Sequence, residues 1–437
     1  MFYIIFLLLI ISLTKGATEI FGISETITQL VIDGLVLLLF SLSFLRMLKH
    51  KSIKGPAFFL NILLIIVILI SFFISLVNEI QMILFVRKFG IYYLFFYALY
   101  NSNLSEEEKD KLFKLLVFLF LAQIPAAFIK LGLIGTMEDY VGMMTIQQGS
   151  LATIMPIMAI SFLIAGYLEY QKIKILFFIV LFIAIGLISN KMGILFYVIF
   201  LFIILSYLYS LRYTQGMNFI NILFFRKMLL VSMILTFIFL AFISLNPRAN
   251  PEGIVGGSID IEHLTNYIDD YQNLKLKDSR TEGDGRFEAP VVAFDRLKSA
   301  GISNILFGFG PGDIVKSSYT PFDDPLLQKY NIGYGGRLGL VYIMIQLGFV
   351  GVTLFILFHI ILFKKLWILY TRIDLTTYGR TLVLGALGFP LIFMLDFFTY
   401  SSILIIESGM ALSYYFVIYY ILTSKNIEYK QANQKKI

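Results

Sequence analysis

The chain has 437 residues, of which 59% are hydrophobic and only 14% are charged, and its mean hydropathy is +0.85. A soluble protein carries about 25% charged residues, so this chain has too few to cover a water-facing surface. It has no cysteine and three scattered histidines, which excludes a disulfide framework, a thiol nucleophile and a recognisable metal cluster. The net charge is +7, but most basic residues fall in short loops between apolar runs, so a nucleic-acid partner is not indicated.

Apolar runs of roughly 18–25 residues recur along most of the chain, which is the length that a helix needs to cross a bilayer. The strands of a membrane barrel would alternate apolar and polar residues, whereas these runs are apolar on every face. The sequence therefore predicts an all-α fold, a polytopic transmembrane bundle of about twelve spans. The first is interpreted as a short span, with an uncleaved signal as the alternative. The predicted spans are residues 2–14, 28–47, 56–77, 82–100, 112–134, 149–169, 173–188, 192–210, 228–245, 338–363, 381–398 and 400–423.

The distribution of lysine and arginine predicts the orientation of this bundle. Twelve spans place both termini on one side, and twenty basic residues lie on that side. The short loops and span ends of the other side carry five: Lys15, Arg87, Lys88, Lys130 and Lys191. Because loops rich in lysine and arginine stay in the cytoplasm, both termini are expected to be cytoplasmic.

The predicted spans divide the chain into four parts. Residues 1–245 hold helices one to nine, 246–337 form a large extracytoplasmic loop, 338–423 hold the last three helices, and 424–437 form a cytoplasmic tail. The loop contains thirteen Asp or Glu and ten Lys or Arg, and a loop of this length is usually functional or disordered. Its many aromatic residues argue against disorder. A helix is predicted over Arg286–Ala300, with an apolar face formed by Phe287, Val291, Phe294 and Leu297.

Basic residues of the loop form the first candidate site: Arg280, Arg286, Arg296 and Lys298. An arginine fork matches two phosphate oxygens, and its charge persists at physiological pH. At the outer face of a membrane, the natural anionic substrate would be a lipid-linked diphosphate. The alternative is that these cations pair with carboxylates nearby in the sequence, namely Glu282, Asp284, Glu288 and Asp295.

A turn rich in glycine, Gly308-Phe309-Gly310-Pro311-Gly312, is the second candidate. Backbone without side chains can approach a ligand or a neighbouring helix closely. A nucleotide loop is not indicated, because no strand–helix unit surrounds the turn and Val315 stands where a phosphate-binding loop needs glycine. We expect a tight turn that holds the fold of the loop.

Ionisable residues within or beside the apolar runs are the third candidate: Asp33, Lys191, Asp396 and Glu407. A charge at membrane depth is unfavourable and usually faces a cavity or a partner. For Lys191 and Asp396 the alternative is a side chain that reaches the interface. Glu407 lies deeper, where a functional or helix-pairing role is favoured, and His263 of the loop is interpreted as solvated.

Three short stretches resemble the O-antigen polymerase and ligase superfamily (Wzy-type polysaccharide polymerases and their ligase relatives). Members carry a Gly-Arg before a short loop helix, as in Gly285-Arg286-Phe287, and a Gly-x-Gly turn about twenty residues on, as in Gly308–Gly312. The next span often has a Gly-aliphatic-Gly step, resembled by Leu347–Gly351, and an earlier span begins with an element resembled by Ser189–Gly193, with Lys191 in place of arginine. The family's tryptophan after the loop arginine is absent. The ligase branch has a histidine near the loop's end, where this chain reads Asn331–Arg337, so the polymerase branch is favoured.

The resemblance implies an enzyme of the bacterial cytoplasmic (inner) membrane that builds O-antigen, capsule or a related cell-envelope polysaccharide. Such a glycosyltransferase moves the growing glycan from its polyprenyl diphosphate to the terminal sugar of another lipid-linked repeat unit. The glycosyl–phosphate bond supplies the driving force, so no cofactor is implied. The implied partners are polyprenyl-diphosphate-linked glycans, membrane lipids, and a chain-length regulator and flippase of the same pathway.

Residue roles follow from the same resemblance. Arg286 is expected to hold the diphosphate, with Lys191 and Arg280 as supporting cations. Asp284 and Glu288 are candidates for the base that activates the attacking hydroxyl. Further substrate contacts are expected from Arg296, Arg337, Gly308, Gly310 and Gly312, and sugar stacking from Tyr319, Tyr330 and Tyr334. Two alternatives stay open: transfer of finished polymer to an acceptor, as in the ligases, and transport of the same lipid-linked sugars.

Overall fold

The computed structural model describes most of the bundle and part of the large loop. The described residues are 1–20, 22–50, 55–75, 77–134, 142–144, 151–188, 193–213, 251–252, 257–263, 265–266, 288–315, 325–332, 338–372, 374–399 and 408–425, together with 233, 237 and 240. Within these ranges the fold is helical, with no β-strand, and the predicted all-α class is confirmed.

The described residues of the first half of the chain form ten α-helices and one π-helical turn. In chain order they are α1 (Phe2–Leu13), α2 (Lys15–Ile20), α3 (Glu25–His50), α4 (Phe58–Ile74), α5 (Glu79–Phe85), a π-helical turn (Val86–Gly90) that continues into α6 (Ile91–Tyr100), α7 (Glu106–Ile134), α8 (Leu151–Tyr170), α9 (Lys174–Ile188) and α10 (Gly193–Tyr213). The described part of the loop includes the short helices α11 (Ala289–Ala300), α12 (Ile302–Phe307) and α13 (Pro325–Tyr330). The chain then forms α14 (Gly339–Tyr370), α15 (Thr377–Thr399) and α16 (Ser408–Thr423).

Seven helical segments of the described chain are long and apolar enough to cross a membrane: α3, the continuous α5–α6 segment, α7, α8, α10, α14 and α15. Four shorter apolar helices accompany them, namely α1, α4, α9 and α16. Eleven of the twelve predicted spans therefore contain a helix, and the ninth, 228–245, lies almost wholly outside the described residues. The chain is a multi-pass helical membrane protein by length and composition, and the count of twelve spans stays a prediction.

Helices α14, α15 and α16 form the centre of the bundle. Helix α15 packs against α8, α10 and α14, while α16 packs against α1, α6 and α7. The side chains of α16 are almost all buried, including Tyr414 and Tyr415, and their rings meet those of Phe96 and Phe393. Because lipid tails are as apolar as leucine, such close aromatic packing rather than hydrophobic exclusion holds membrane helices together.

Contacts between chain segments bring several cations to one end of the bundle. Arg46 donates a hydrogen bond to the Ser102 carbonyl at 2.6 Å. Arg212 donates to the Arg372 carbonyl at 2.7 Å. We call this end, where α3, α6, α10 and α14 terminate, the basic end. The opposite end, where α4 terminates and α5 and α14 begin, carries α11–α13 and is called the loop end.

Candidate functional site at the loop end

The turn Gly308–Gly312, here called the glycine turn, packs into a break in helix α14. Gly348 interrupts α14 with φ 64° and ψ −168°, a backbone conformation open essentially to glycine alone. A Cβ on Gly308 would lie 2.6 Å from the Ile345 carbonyl oxygen, and a Cβ on Gly348 would lie 2.5 Å from the Phe307 nitrogen. Both glycines are therefore required for the two backbones to touch.

Hydrogen bonds from outside α14 satisfy the carbonyls next to this break. The Phe309 N–H donates to the Ile345 carbonyl at 2.7 Å. The Ser71 hydroxyl, at the end of α4, lies 2.6 Å from the Phe307 carbonyl and 2.9 Å from the Gln346 carbonyl. An unpaired backbone polar group at membrane depth destabilises the fold by roughly several kcal/mol. Irregular backbone there must therefore find hydrogen-bond partners within the protein. The glycine turn and α4 supply them.

The side chain of Gln346 ties the turn to the same helix. It is fully buried, accepts from the Gly312 N–H at 2.8 Å, and donates to the Tyr342 carbonyl at 3.0 Å. The far side of the turn meets the junction between α4 and α5, where Gly310 contacts Ser75 and Gly312 contacts the Gln81 carbonyl. The expectation of a tight turn is confirmed, and its neighbours are helices. Substrate binding by Gly308, Gly310 and Gly312 stays a prediction.

Asp313 follows the glycine turn and anchors α13. Its carboxylate accepts from Lys329 at 2.7 Å and from the Tyr330 hydroxyl at 2.5 Å. The Tyr330 ring also packs on Phe309, with 5.2 Å between centroids. Burial raises the pKa of the Tyr330 phenol, and the Asp313 charge raises it further. This ring is buried between Phe309 and Asp313, which argues against the predicted role of Tyr330 in sugar stacking, and that role stays untested.

Helix α11 begins close to the predicted position but turns a different face to the protein. Ala289, Ala293 and Leu297 are fully buried, whereas Val291 is 60% exposed. Small alanine side chains let α11 approach α14 and α12 closely. The predicted face included Val291 because hydropathy ranks valine above alanine for burial. Phe294, of the predicted face, meets the ring of Phe349 edge-on at 5.7 Å. The predicted helix is confirmed, and its predicted apolar face is wrong at Val291.

The polar surface of α11 carries two candidate residues. Glu288 is the exposed residue at the N-terminal end of the helix, where its side chain caps no backbone N–H. Arg296 and Lys298 are exposed, and neither forms an ion pair with a described carboxylate, Glu288 and Asp295 included. Arg296 therefore does not pair with Glu288 or Asp295, and the alternative of pairing with Glu282 or Asp284 lies outside the described residues.

Ion pairs occupy the bundle beside the loop end. Asp33 of α3 is 9% exposed at its side chain and pairs with Arg87 of the π-helical turn at 2.5 Å. Gln29, one turn earlier, donates to the second Asp33 oxygen at 2.8 Å. Lys15 is 4% exposed and pairs with Glu25 at 2.5 Å. Lys15 and Arg87, two of the five basic residues predicted to lie on the outer side, are thus paired with carboxylates of α3.

Sequence reasoning missed the π-helical turn and the partner of Asp33. In the sequence, the π-helical turn is marked by two adjacent basic residues, Arg87 and Lys88, inside an otherwise apolar run. Single π-turns inside α-helices are frequent at functional sites. Asp396 is 1% exposed within α15, so its side chain is enclosed by protein. Buried His359 is a further missed residue: its Nδ1 lies 2.7 Å from the Tyr414 hydroxyl.

Several predicted site residues lie outside the described residues, and the structure makes no statement on their geometry. They are Lys191, Arg280, Asp284, Arg286, Arg337 and Glu407, with the sugar-stacking candidates Tyr319 and Tyr334. His263 is half-buried, and its backbone N–H donates to Asp260 Oδ1 at 3.1 Å. Within the described ranges no group of three His, Asp or Glu residues is placed to hold a metal ion.

The fold and the loop end define the class of this protein as a multi-pass helical membrane protein in which a segment of short helices packs on a broken helix. Comparison with protein families, with curated proteins and with solved structures finds no match to the chain.

Proposed function

We propose that this protein is a glycosyltransferase that polymerises polyprenyl-diphosphate-linked oligosaccharide repeat units into a surface polysaccharide. It works in the bacterial cytoplasmic membrane, with both termini in the cytoplasm and the large loop outside. The reacting lipid headgroups lie at the loop end. O-antigen, capsule and related envelope polymers are all products of this type of reaction.

One observation carries the proposal: two of the stretches that resemble the polymerase superfamily are direct packing partners. Gly308 and Gly348 stand forty residues apart in the sequence, and each leaves room for the backbone of the other's segment. The pairing supports the interpretation of both stretches as parts of one motif, with α11 and its exposed cation Arg296 beside it.

The reaction breaks the bond between the anomeric carbon of the growing glycan and its diphosphate oxygen. A hydroxyl of the incoming repeat unit attacks that carbon, a glycosidic bond forms, and polyprenyl diphosphate leaves with the bonding electron pair. Cations stabilise the negative charge that develops on the leaving group. We assign this role to Arg286, with Lys191, Arg280, Arg296 and Arg337 in support.

The proton of the attacking hydroxyl must pass to a base as the new bond forms. Asp284 and Glu288 are the proposed acceptors. Glu288 stands at the N-terminal end of α11, and it is exposed and therefore accessible to substrate.

Analysis of lipid-linked glycans in cells with the gene deleted tests the function. Loss of a polymerase leaves single repeat units on the final acceptor and no long chains. Full-length polymer that accumulates unattached would instead identify a ligase. Repeat units trapped on the cytoplasmic side would identify a flippase.

The role of Arg286 is tested by Arg286→Lys, which keeps the charge and removes the two-pronged hydrogen bonding. We expect chain length and polymer yield to fall by at least about tenfold, the loss of roughly one charge-assisted hydrogen bond. The matched control is Arg46→Lys at the basic end, where one hydrogen bond to the Ser102 carbonyl can be kept. Near-normal polymer in Arg286→Lys contradicts the assignment.

Transport of the same lipid-linked sugars is the second candidate, because one observation favours it. Interrupted helices and buried charges are typical of transporter sites. In this protein α14 is interrupted at Gly348, and the bundle contains the Asp33–Arg87 ion pair. Reconstituted vesicles separate the two functions. A polymerase lengthens glycans that are already on the outer face, whereas a transporter moves single units across without lengthening them.

A further inference from the structure

A cavity opens at the basic end of the bundle, far along α14 from the glycine turn. Its volume is about 410 Å³, within the range of small-ligand sites. It lies between the start of α4, the end of α6 and the ends of α14 and α16. Its lining residues are Gly55, Pro56, Tyr100, Lys365, Ile368, Leu369, Arg372 and Leu422.

The polar groups of this cavity are cationic or hydrogen-bond donors. Lys365 is exposed and forms no ion pair with any carboxylate in the described part of the chain. Arg372 also lines the cavity, with part of its charge engaged by Asp374 at 2.6 Å and 3.0 Å. The Tyr100 hydroxyl is buried and has no hydrogen-bond partner among the described groups. A buried hydroxyl without a partner is unfavourable, so an acceptor from a ligand would satisfy it.

The remaining lining is apolar. Ile368 is 55% exposed on α14, and Leu369 and Leu422 stand beside it. The cavity therefore combines a positive charge and an O–H donor with an apolar wall, at the end of helices that cross the bilayer. A small soluble anion would use the polar groups alone, whereas a phospholipid would use both parts.

We propose that this cavity binds the phosphate of an anionic glycerophospholipid, with Lys365 and Tyr100 on the phosphate oxygens and the acyl chains along Ile368. Basic pockets between transmembrane helices on the cytoplasmic side are recognised sites for acidic headgroups. The inference does not depend on the proposed polymerisation. Only the name of the leaflet rests on the proposed orientation.

Native mass spectrometry of the full-length protein in detergent tests the site. The protein is titrated with phosphatidylglycerol and, separately, with phosphatidylcholine. We expect one phosphatidylglycerol to bind in preference to phosphatidylcholine, and Lys365→Gln to weaken that binding about tenfold, as for a lost charge-assisted hydrogen bond. Tyr100→Phe keeps the ring and removes the donor, and is expected to weaken it about fivefold.

The matched control is Lys364→Gln, which removes the neighbouring exposed lysine that does not line the cavity. At physiological salt its effect is expected to stay within about twofold, because exposed charges are screened. Equal losses in both lysine variants would reduce the site to general surface attraction and overturn the proposal. Displacement of the lipid by millimolar inorganic phosphate would overturn the lipid assignment in favour of a free anion.

Folding of the variants is checked by helical circular dichroism and by elution as a single species. If Lys365→Gln does not fold, Lys365→Arg and Tyr100→Phe carry the test. The arginine variant must keep the preference for phosphatidylglycerol and the phenylalanine variant must lose part of it. Any other pattern contradicts the site. Glycan chain length in the same variants is a separate readout, so the polymerase proposal can fail while this one stands.

Discussion

Replacing Gly308 with alanine tests the contact between the glycine turn and α14 through the free energy of unfolding. Gly308 has φ 76° and ψ −171°, a conformation that residues with a Cβ rarely adopt. The new methyl group would also lie 2.6 Å from the Ile345 carbonyl oxygen. Alanine therefore introduces backbone strain and a steric clash at the same position.

The destabilisation from backbone strain and that from the steric clash can be estimated separately. Backbone strain in this region of φ and ψ is about 1–3 kcal/mol. Forcing an extra carbon into a packed interface adds about 1–3 kcal/mol. The free energy of unfolding should then fall by about 2–6 kcal/mol, a large part of the roughly 5–15 kcal/mol that holds a typical protein folded.

Two other glycines separate strain from clash. Gly301 has φ 114° with nothing within 4 Å of an added Cβ, so Gly301→Ala introduces strain alone. Gly34 lies inside helix α3, also with nothing within 4 Å, so Gly34→Ala introduces neither and should be neutral or stabilising by up to about 1 kcal/mol. Denaturant unfolding in detergent, followed by the fluorescence of the single tryptophan Trp367 on α14, measures all three variants.

The expected order of destabilisation is Gly308→Ala, then Gly301→Ala, then Gly34→Ala. A second comparison uses Gly348→Ala, whose methyl group would meet the opposite side of the same contact. Variants that break one contact are not additive, so the double variant should lose less than the sum of the single losses. Equal stability of Gly308→Ala and Gly301→Ala would refute the close packing inferred for the turn.

Two further predictions concern the polar contacts near the loop end. Asp33→Asn should lower the free energy of unfolding by about 1–3 kcal/mol, because it leaves Arg87 without its ion pair, and a double-mutant cycle with Arg87→Gln should be clearly non-additive. Tyr330→Phe removes the hydrogen bond to Asp313 and should lose about 1 kcal/mol at neutral pH. Since the folded-state pKa of Tyr330 is raised above 10, its stabilisation is complete below pH 10 and is lost as the pH rises through that higher value. Wild type should therefore lose more stability than Tyr330→Phe above pH 10, and equal losses would contradict this account.

The helices of the bundle could be predicted from the sequence because each is determined by its own residues. A membrane-spanning segment must satisfy its backbone hydrogen bonds internally, so a long apolar run is almost obliged to be helical. Even the division between α4 and α5 has a local signal. Asn78 and Gln81 form a capping box, in which each side chain accepts from the other residue's backbone N–H.

The break at Gly348 could not be predicted in the same way, because its stability comes from residues distant in the sequence. Gly348 and Gly351 look alike within one apolar run, yet only Gly348 adopts a positive φ in α14. What separates them is the hydroxyl of Ser71 and the backbone of the glycine turn, which reach the same place through tertiary packing. The buried face of α11 was likewise decided by its partner helix rather than by its own hydropathy.

The described cations at the loop end include two contrasting groups, and the difference bears on where an anionic substrate would bind. Inside the bundle, Lys15 and Arg87 are held by carboxylates of α3. Separating the Asp33–Arg87 pair to bind a diphosphate would leave the Asp33 carboxylate, which is 9% exposed, next to a like charge, which is strongly unfavourable. On α11, Arg296 and Lys298 are exposed and form no ion pair with any carboxylate that the structure describes, so a diphosphate can approach them without separating a described ion pair. We therefore place the proposed reaction on the loop side of the glycine turn, and the Asp33–Arg87 ion pair holds α3 against the π-helical turn.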